Sequence, residues 1–259
     1  MSKPIPVISV AVISSSYWVQ RLIASIDYPV DNFIIYNNSV NEEITQNLEN
    51  IVKITHPYIK KFALISFPSN MGLCATWNIT IKCYMNSPYW FFVNDDVAFT
   101  PGFCAEIAKQ NEDAEVGIVH GGPGDFNDGA WDVFTIKDWV IQSHGMFDEN
   151  FYPGYGEDVD YIMRLHSHPV KRVPGIKIPY YHGLGFDYYE TGMSTKRSNP
   201  ELSEKLNFAN FVNFEYLTKK WGPDWRNTQP WQFPFNSEML PISYTTFDLE
   251  FCRKKYLGF

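Results

Sequence analysis

The sequence feature that most constrains the fold is an apolar run at residues 89–93 that leads directly into Asn94, Asp95 and Asp96. A short, continuously apolar run is typical of a strand that is buried on both faces of a sheet. Because an unpaired carboxylate is costly to bury, this strand must end where Asp95 and Asp96 can meet water, a cation or a ligand. In open α/β sheets that place is the carboxyl end of a central strand, where ligands bind.

The paired acids allow two interpretations. Adjacent carboxylates suit a hard divalent cation, and such an ion usually shares its coordination shell with phosphate oxygens. A simple turn after the strand is the alternative, since aspartate and asparagine are common in turns. The acids by themselves leave both possibilities open.

The first half of the chain alternates between predicted strands and predicted helices. Buried strands are expected at residues 7–13, 33–36 and 62–67, and apolar residues recur at helical spacing between them. This order predicts a parallel sheet with right-handed crossovers. Residues 131–136 alternate loosely between apolar and polar side chains and favour an additional antiparallel strand.

Polar residues also follow the other predicted strands. Asn37 and Asn38 come directly after the second strand, and Asn70 and Gly72 lie in the loop after the third. Gly72 permits a tight turn and a close approach of the backbone to a ligand. Asn78, near the start of the next predicted helix, could bind a ligand or satisfy a buried carbonyl group.

A second informative stretch begins with an aromatic, glycine-containing loop at residues 151–156 and continues into a helix with Glu157, Asp158 and Asp160 in its first turn. Acids at this position suit the helix dipole, and Asp160 with Arg164 forms an i,i+4 pair. A carboxylate under an aromatic loop is also where a general base would be held in a partly dry pocket. Both interpretations fit the sequence.

A histidine in the second half is a further candidate ligand. His182 lies among aromatic residues and glycines at residues 179–185. It could bind a metal through a neutral ring nitrogen, or it could be structural.

The order of these signals over residues 5–225 resembles the GT-A fold of inverting glycosyltransferases, and glycosyltransferase family 2 in particular. Residues 94–96 are similar to the DxD-type motif of that family, and residues 156–160 are similar to its ED-type base motif. These two variants look most like rhamnosyltransferase members. Other positions that match are the nucleotide contacts Asn37 and Asn38, the N-x-G loop and helix with Asn70, Gly72 and Asn78, and a late metal-binding histidine, His182.

The resemblance implies an α/β fold of the GT-A type, with a Rossmann-like, mostly parallel central sheet flanked by helices. A small antiparallel portion would lie in the acceptor half. Residues 1–259 would form a single domain. Within it, about 1–115 would be the nucleotide-sugar-binding half, about 116–225 the acceptor and catalytic half, and 226–259 a wrapping tail.

The resemblance also implies roles for individual residues. Asp96, with His182, would hold Mn²⁺ or Mg²⁺, and Asp95 would hold the ribose or the donor sugar. Asp158 would deprotonate the acceptor hydroxyl, with Glu157 orienting the loop, although these two could exchange roles. The expected activity is a metal-dependent, hexosyltransferase-type transfer, with inversion, to a glycan acceptor. The expected nucleotide-sugar contacts are Ser14, Asn37, Asn38, Asn70, Gly72, Asn78, Asn94 and Asp95, and the expected acceptor platform is Trp131, Tyr155 and Arg164.

One departure from the family concerns the nucleotide. Many members carry aspartate in the loop after the second strand, whereas this chain has Asn37 and Asn38. An amide can donate and accept hydrogen bonds, but a carboxylate only accepts them. The sequence therefore leaves a UDP, TDP or GDP donor open.

Two other functions compete with this interpretation. A sugar-1-phosphate nucleotidyltransferase shares the acidic metal site, but it normally needs a glycine-rich, basic loop after the first strand. Residues 14–16 are all serine, and the first nearby cation is Arg21. A non-catalytic carbohydrate-binding protein is allowed by the aromatic content of 17%.

Composition excludes some partners. The net charge is −8 and there is no basic run, so a nucleic-acid-binding surface is not expected. No segment approaches the roughly 20 apolar residues of a membrane span. The four cysteines lack metal-type spacing and suit free thiols in a reducing compartment, so we expect a cytoplasmic protein. We expect it to be a monomer or a homodimer.

Overall fold

The computed structural model describes residues 3–122, 129–183, 199–225 and 230–236. The strands within these residues are β1 (Ile8–Val12), β2 (Phe33–Asn37), β3 (Phe62–Ser66), β4 (Tyr89–Asn94), β5 (Val97–Phe99), β6 (Val116–His120), β7 (Val133–Lys137), β8 (Lys171–Val173) and β9 (Tyr180–His182). The helices are α1 (Ser16–Ala24), α2 (Glu42–Ile51), α3 (Leu73–Cys83), α4 (Phe103–Gln110), α5 (Asp138–His144), α6 (Glu157–Ser167) and α7 (Pro200–Trp221), and a 3₁₀ turn covers Pro234–Asn236.

Seven strands form one sheet in the order β3-β2-β1-β4-β7-β6-β8. All neighbouring pairs are parallel except those of β7, which runs antiparallel to both β4 and β6. The short strands β5 and β9 form a separate antiparallel pair. The predicted α/β fold, with a mostly parallel sheet and a small antiparallel portion, is confirmed.

Apolar composition explains the position of the central strands. β1, β2 and β4 are interior strands of the sheet, and Trp90, Phe91 and Phe92 of β4 are fully buried. Local signals begin the flanking helices. Ser15 accepts a hydrogen bond from the backbone of Tyr17 to cap α1, as the serine run predicted, and Asn41 caps α2 in the same way.

The chain forms two compact units that do not follow the order of the sequence. Unit 1 comprises Met1–Asn70, Ser87–Lys137 and Lys171–Ser203, and it contains both sheets. Unit 2 comprises Met71–Asn86, Asp138–Val170 and Glu204–Phe259, and its described helices are α3, α5, α6 and α7. The predicted single domain with a division near residue 115 stays a prediction.

A membrane span was not expected from the sequence. Across the described parts of the chain, no helix combines the length and the apolar character that crossing a membrane requires.

Candidate active site

Unit 1 brings the predicted metal-binding residues together. Asp95 and Asp96 form the turn between β4 and β5, and both are buried, with 6% and 4% of their surface exposed. Pairing of β5 with β9 places His182 opposite Val97, and the backbone of Gly183 donates a hydrogen bond to the Asp96 carbonyl at 2.8 Å. As a result, Nε2 of His182 lies 3.1 Å from Oδ1 of Asp96. The two side chains are 86 positions apart in the sequence (182 − 96).

A third acid, which sequence reasoning missed, lies on the other side of the histidine ring. Oδ2 of Asp132 is 3.0 Å from Nδ1 of His182, and it also accepts a hydrogen bond of 2.7 Å from the hydroxyl of Tyr180. The only sequence signal at Asp132 is an acid near the start of the strand predicted at residues 131–136. Its importance follows from the reversed direction of β7, which brings the start of that strand beside the end of β4.

Burial and neighbouring charges shift the pKa values of Asp95 and His182. Burial, followed by the charge of Asp96, raises the pKa of Asp95 well above its ordinary value. For His182, burial lowers the pKa, but the adjacent carboxylates of Asp132 and Asp96 outweigh burial and raise it to about 10.

The donor atoms of this cluster fit a divalent cation. Carboxylate oxygens suit Mg²⁺ and Mn²⁺, and an imidazole nitrogen is also an acceptable ligand for transition metals. Oδ2 of Asp95 is buried and lacks a hydrogen-bond partner among the described residues, which is costly unless a ligand meets it. Within the described ranges, however, no three or more His, Cys, Asp or Glu side chains are already arranged to hold an ion. Metal dependence stays a prediction.

The polar residues after β1 and β2 lie at the same edge of the sheet as Asp95. The Asn37 amide donates to Oγ1 of Thr45 at 2.8 Å, and its oxygen accepts from the backbone of Ser39 at 3.0 Å. The backbone of Asn38 donates to the carbonyl of Val12 at 2.8 Å. Oγ of Ser14 is buried and has no partner in the part of the chain that the structure describes. Their contacts with a nucleotide stay predictions.

A cavity that the sequence did not reveal opens beside these residues. Its volume is about 520 Å³, and it lies at the carboxyl ends of β2 and β3. Asn37, Ser39, Thr45 and Phe67 are among its lining residues. Pockets of this size commonly hold small ligands.

The predicted base residues lie at the start of α6 in unit 2. Asp158 is half-buried, and its Oδ1 accepts a hydrogen bond of 2.8 Å from the backbone of Val159. Glu157 is buried, and no described residue forms a hydrogen bond with its Oε2. Burial, followed by the charge of Asp158, raises the pKa of Glu157 to about 8. Two neighbouring carboxyl groups thus have different environments, which is typical of acid-base sites.

The loop before α6 is fixed from two directions within unit 2. The backbone of Leu73 donates to the carbonyl of Pro153 at 2.8 Å, and a Cβ on Gly72 would approach the Tyr152 ring to 2.9 Å. On the other side, the amide of Asn213 donates to the carbonyls of residues 154 and 155 at 2.8 and 2.9 Å. Gly72 therefore permits a close approach between two loops, and Asn213 is a supporting residue that sequence reasoning missed.

Two residues of the predicted acceptor platform are Tyr155, in the loop before α6, and Trp131, just before β7. Tyr155 is half-buried and has φ of 74°, a left-handed conformation that is uncommon for a non-glycine residue. Trp131 is buried, and its ring packs on His120 and Phe134 with centroid distances of 5.1 and 4.7 Å. Their roles toward an acceptor stay predictions.

Asn78 and Arg164, two residues predicted to contact a ligand, form hydrogen bonds with other residues of the protein. The Asn78 amide donates to the carbonyl of Phe147 at 2.8 Å and accepts from its backbone N–H at 3.0 Å, which is the structural alternative. Arg164 is fully buried and donates to Asp160 and to the carbonyls of His144 and Met146. The roles of Asn78 and Arg164 toward a ligand stay predictions.

A buried group of charges connects α6, α7 and the loop before them. Asp160 pairs with Arg164 at 2.5 Å and with Lys220 at 2.6 Å, and Lys220 also pairs with Asp148 at 2.7 Å. The indole of Trp221 donates to Asp160 at 2.8 Å. Two acids and two bases balance in charge, so each buried ion has an opposite partner. Asp160 of this network lies in the same helix turn as Glu157 and Asp158.

Replacing Glu157 with glutamine is expected to change the pH dependence of stability. The folded state keeps the Glu157 proton up to a pKa of about 8, whereas the ordinary value is 4.5. Between these values the folded state binds more protons than the unfolded state, so the free energy of unfolding falls as the pH rises, by up to about 1.4 kcal/mol per pH unit. The variant should lose this decline and melt above wild type at pH 8.

The control for this prediction is Glu204→Gln, which changes an exposed glutamate of α7. Melting temperatures from pH 4.5 to 9 test the difference. Parallel profiles for wild type and Glu157→Gln would contradict the raised pKa of Glu157.

The fold and the acidic pair at the end of β4 define the class of protein. A mostly parallel sheet, with buried acids and a histidine at the carboxyl end of a central strand, is the architecture of GT-A glycosyltransferases. The family model described as Glycosyl transferase family 2 matches residues 18–164, more than half of the chain. The chain therefore belongs to glycosyltransferase family 2.

Individual relatives agree with this assignment. The galactofuranosyl glycosyltransferase of Leishmania donovani is 21% identical, over 95% of this chain and 74% of the relative. The mannosyltransferase PcManGT from Pyrobaculum calidifontis, in complex with GDP-Man and Mn²⁺, superposes with a TM-score of 0.57 at 13% identity, over 68% of this chain and 55% of that one. S. aureus TarS in complex with UDP-GlcNAc gives a TM-score of 0.53 at 12% identity, over 70% and 58%.

The two solved structures show similarity of fold. This chain spans little more than half of the length of each, 55% and 58%. The similarity to rhamnosyltransferase members in particular stays a prediction.

Proposed function

We propose that this family 2 member transfers a hexose from a nucleotide-sugar donor to a hydroxyl group of a glycan acceptor, with inversion and with the assistance of a divalent cation. The observation that carries the proposal is the contact of 3.1 Å between His182 and Asp96 at the carboxyl end of β4. It joins two residues that the motif resemblance assigns to one metal site.

The cation would be held by Asp96 and His182, and Asp95 would face the ribose or the donor sugar. Mn²⁺ or Mg²⁺ bound there would offset the charge that develops on the departing diphosphate. Such ions commonly take only one or two protein carboxylates and complete their shell with substrate phosphates, which agrees with the small number of donor side chains here. The Mn²⁺ in the PcManGT complex supports the same expectation.

The proton of the acceptor hydroxyl would pass to the Asp158 carboxylate. As its O–H bond breaks, the acceptor oxygen forms a bond to the anomeric carbon, and the bond from that carbon to the diphosphate breaks. One displacement inverts the configuration and releases the nucleoside diphosphate, through a transition state of oxocarbenium character. Glu157, whose pKa of about 8 keeps it mostly protonated at neutral pH, would avoid a second negative charge beside the base.

The nucleoside would lie near the ends of β1 and β2. Ser14, Asn37 and Asn38 lie at this edge, and the cavity of about 520 Å³ opens beside them. The two neighbouring structures carry GDP-Man and UDP-GlcNAc, so they favour no single base. Rhamnose is the donor sugar that the motif variants favour, and the galactofuranosyl relative makes galactofuranose a second candidate.

A thermal-shift experiment tests the donor and the cation together. Wild type is melted with UDP, TDP and GDP, each with and without Mn²⁺. One nucleotide should raise the melting temperature, with a larger shift in Mn²⁺, because a ligand at about 100 times its Kd stabilises the folded state by about 2.7 kcal/mol. Asp96→Asn should lose the increment due to Mn²⁺.

Asp31→Asn is the matched control, since it changes an aspartate of unit 1 that pairs with a surface lysine, Lys60. It should behave as wild type. No shift with any nucleotide would contradict the proposal and favour a carbohydrate-binding protein. Cleavage of a nucleoside triphosphate in the presence of a sugar 1-phosphate would instead favour the nucleotidyltransferase.

A further inference from the structure

Asp132 contacts His182, but the proposed mechanism assigns it no role. We propose that Asp132 is a positioning residue that holds the His182 imidazole through Nδ1, so that Nε2 faces Asp96 and the bound cation. This inference rests on the proposed function. It assigns a role to a residue outside the matching motifs.

The backbone of Asp132 is fixed by the sheet. Val133, the next residue, is in register with Val93 of β4, and the backbone of Asn94 donates to the carbonyl of Asp132 at 2.8 Å. Asp132 therefore lies directly beside the strand end that carries Asp95. A residue held by a central ladder is a more rigid support than one in a free loop.

Two side chains of β9 converge on one oxygen of Asp132. Tyr180 and His182 are two positions apart and so lie on the same face of their strand. The Tyr180 hydroxyl at 2.7 Å and Nδ1 of His182 at 3.0 Å both contact Oδ2 of Asp132. The Tyr180 ring is itself fixed, because it is buried and packs edge-to-face on Phe103 at 5.3 Å.

The two ring nitrogens of His182 thus face different acids. Nδ1 faces Asp132 and Nε2 faces Asp96, and only 1% of the side-chain surface is exposed. Metal-binding histidines commonly donate their second N–H to a carboxylate, which fixes the orientation of the ring and makes the ligating nitrogen a better donor. Asp132 is placed for this function, whereas Asp96 lies on the side that the motif assigns to the cation.

Mn²⁺ affinity, measured without substrate, is the first test. Free Mn²⁺ is followed by electron paramagnetic resonance during titration of folded wild type and Asp132→Asn. We expect Asp132→Asn to bind Mn²⁺ about 10- to 100-fold more weakly, the usual effect of removing an outer carboxylate. Tyr180→Phe is the matched control, since it removes one contact to the same oxygen and leaves the carboxylate, and it should change affinity less than about threefold. Wild-type affinity in Asp132→Asn would overturn the inference.

The nitrogen-15 chemical shifts of the His182 ring provide a second readout that needs no metal. Loss of the Asp132 charge should move both ring resonances, and unchanged shifts would overturn the inference. If wild type binds no Mn²⁺, the metal part of the proposed function fails, while these shifts still decide the role of Asp132. If Asp132→Asn does not fold, Asp132→Glu keeps the charge but displaces it, and it should bind Mn²⁺ with reduced affinity.

Discussion

Replacing Asp158 with asparagine is expected to lower the turnover number by about 10²- to 10⁴-fold, the usual contribution of a general base. Asparagine keeps the shape of the side chain and an oxygen that can accept the 2.8 Å hydrogen bond from the backbone of Val159. It cannot accept the proton of the acceptor hydroxyl. Binding of the donor nucleotide should be unchanged, so the effect should appear in initial rates and not in nucleotide-induced thermal shifts.

The control for this prediction is a second aspartate of unit 2. Asp138 is also half-buried in the first turn of a helix, and its Oδ1 also accepts a hydrogen bond of 2.8 Å from the next backbone N–H, that of Trp139. Asp138→Asn should retain at least about half of the wild-type rate. Full turnover by Asp158→Asn, combined with inactivity of Glu157→Gln, would show that the two residues exchange roles.

Replacing Lys220 with methionine is expected to destabilise the fold by about 3–5 kcal/mol, the usual cost of removing one partner from a buried ion pair. Lys220 is fully buried and lies within 2.7 Å of both Asp148 and Asp160. Methionine preserves most of the aliphatic packing, so the loss should come mainly from the missing charge. Burial raises the pKa of Asp148, but Lys220 outweighs burial and the pKa falls to about 2, and the variant should lose that effect.

Denaturant unfolding measures this loss directly, as a lower midpoint with an unchanged slope. Lys219→Met is the matched control, because the neighbouring lysine of α7 is exposed. Its stability should lie within about 0.5 kcal/mol of wild type. A change below about 1 kcal/mol in Lys220→Met would show that water or a rearranged Arg164 replaces the missing charge.

The sequence predicts the sheet well because its signals are local. A run such as residues 89–93, apolar throughout, is typical of a strand covered on both faces. The acids that follow it must then lie at the edge of the sheet. For the same reason Asp95 and Asp96 could be singled out before their surroundings were known.

The supporting residues could not be predicted, because their importance depends on contacts that are distant in the sequence. Asp132 meets Tyr180 across 48 positions, and Asn213 meets Gly154 across 59. Nothing within a few residues of Asp132 or Asn213 distinguishes them from any surface acid or amide. Only the reversed direction of β7 and the packing of α7 give them their partners.

Asn78 shows a different limit of prediction from the sequence. Its position on the inner side of a helix allowed both a ligand contact and a structural contact, and the neighbouring residues provided no reason to prefer either. The structure pairs both ends of its amide with the backbone of Phe147, because that segment of loop would otherwise have an unpaired N–H and carbonyl. Such a choice depends on backbone groups, which a sequence pattern does not describe.

Unit 2 is built from three separate stretches of the chain, and the first two are separated by strands β4 to β7 of unit 1. Any continuous segment that contains all of unit 2 also contains those strands, together with β8 and β9. Genetic exchange between relatives at two crossover points therefore cannot replace Gly72, Asp158 and Asn213 together while keeping the parental Asp95 and Asp96. A chimera that exchanges residues 138–259 would keep the parental Asp95 and Asp96, but it would place a foreign loop before α6 against the parental Gly72 and Leu73.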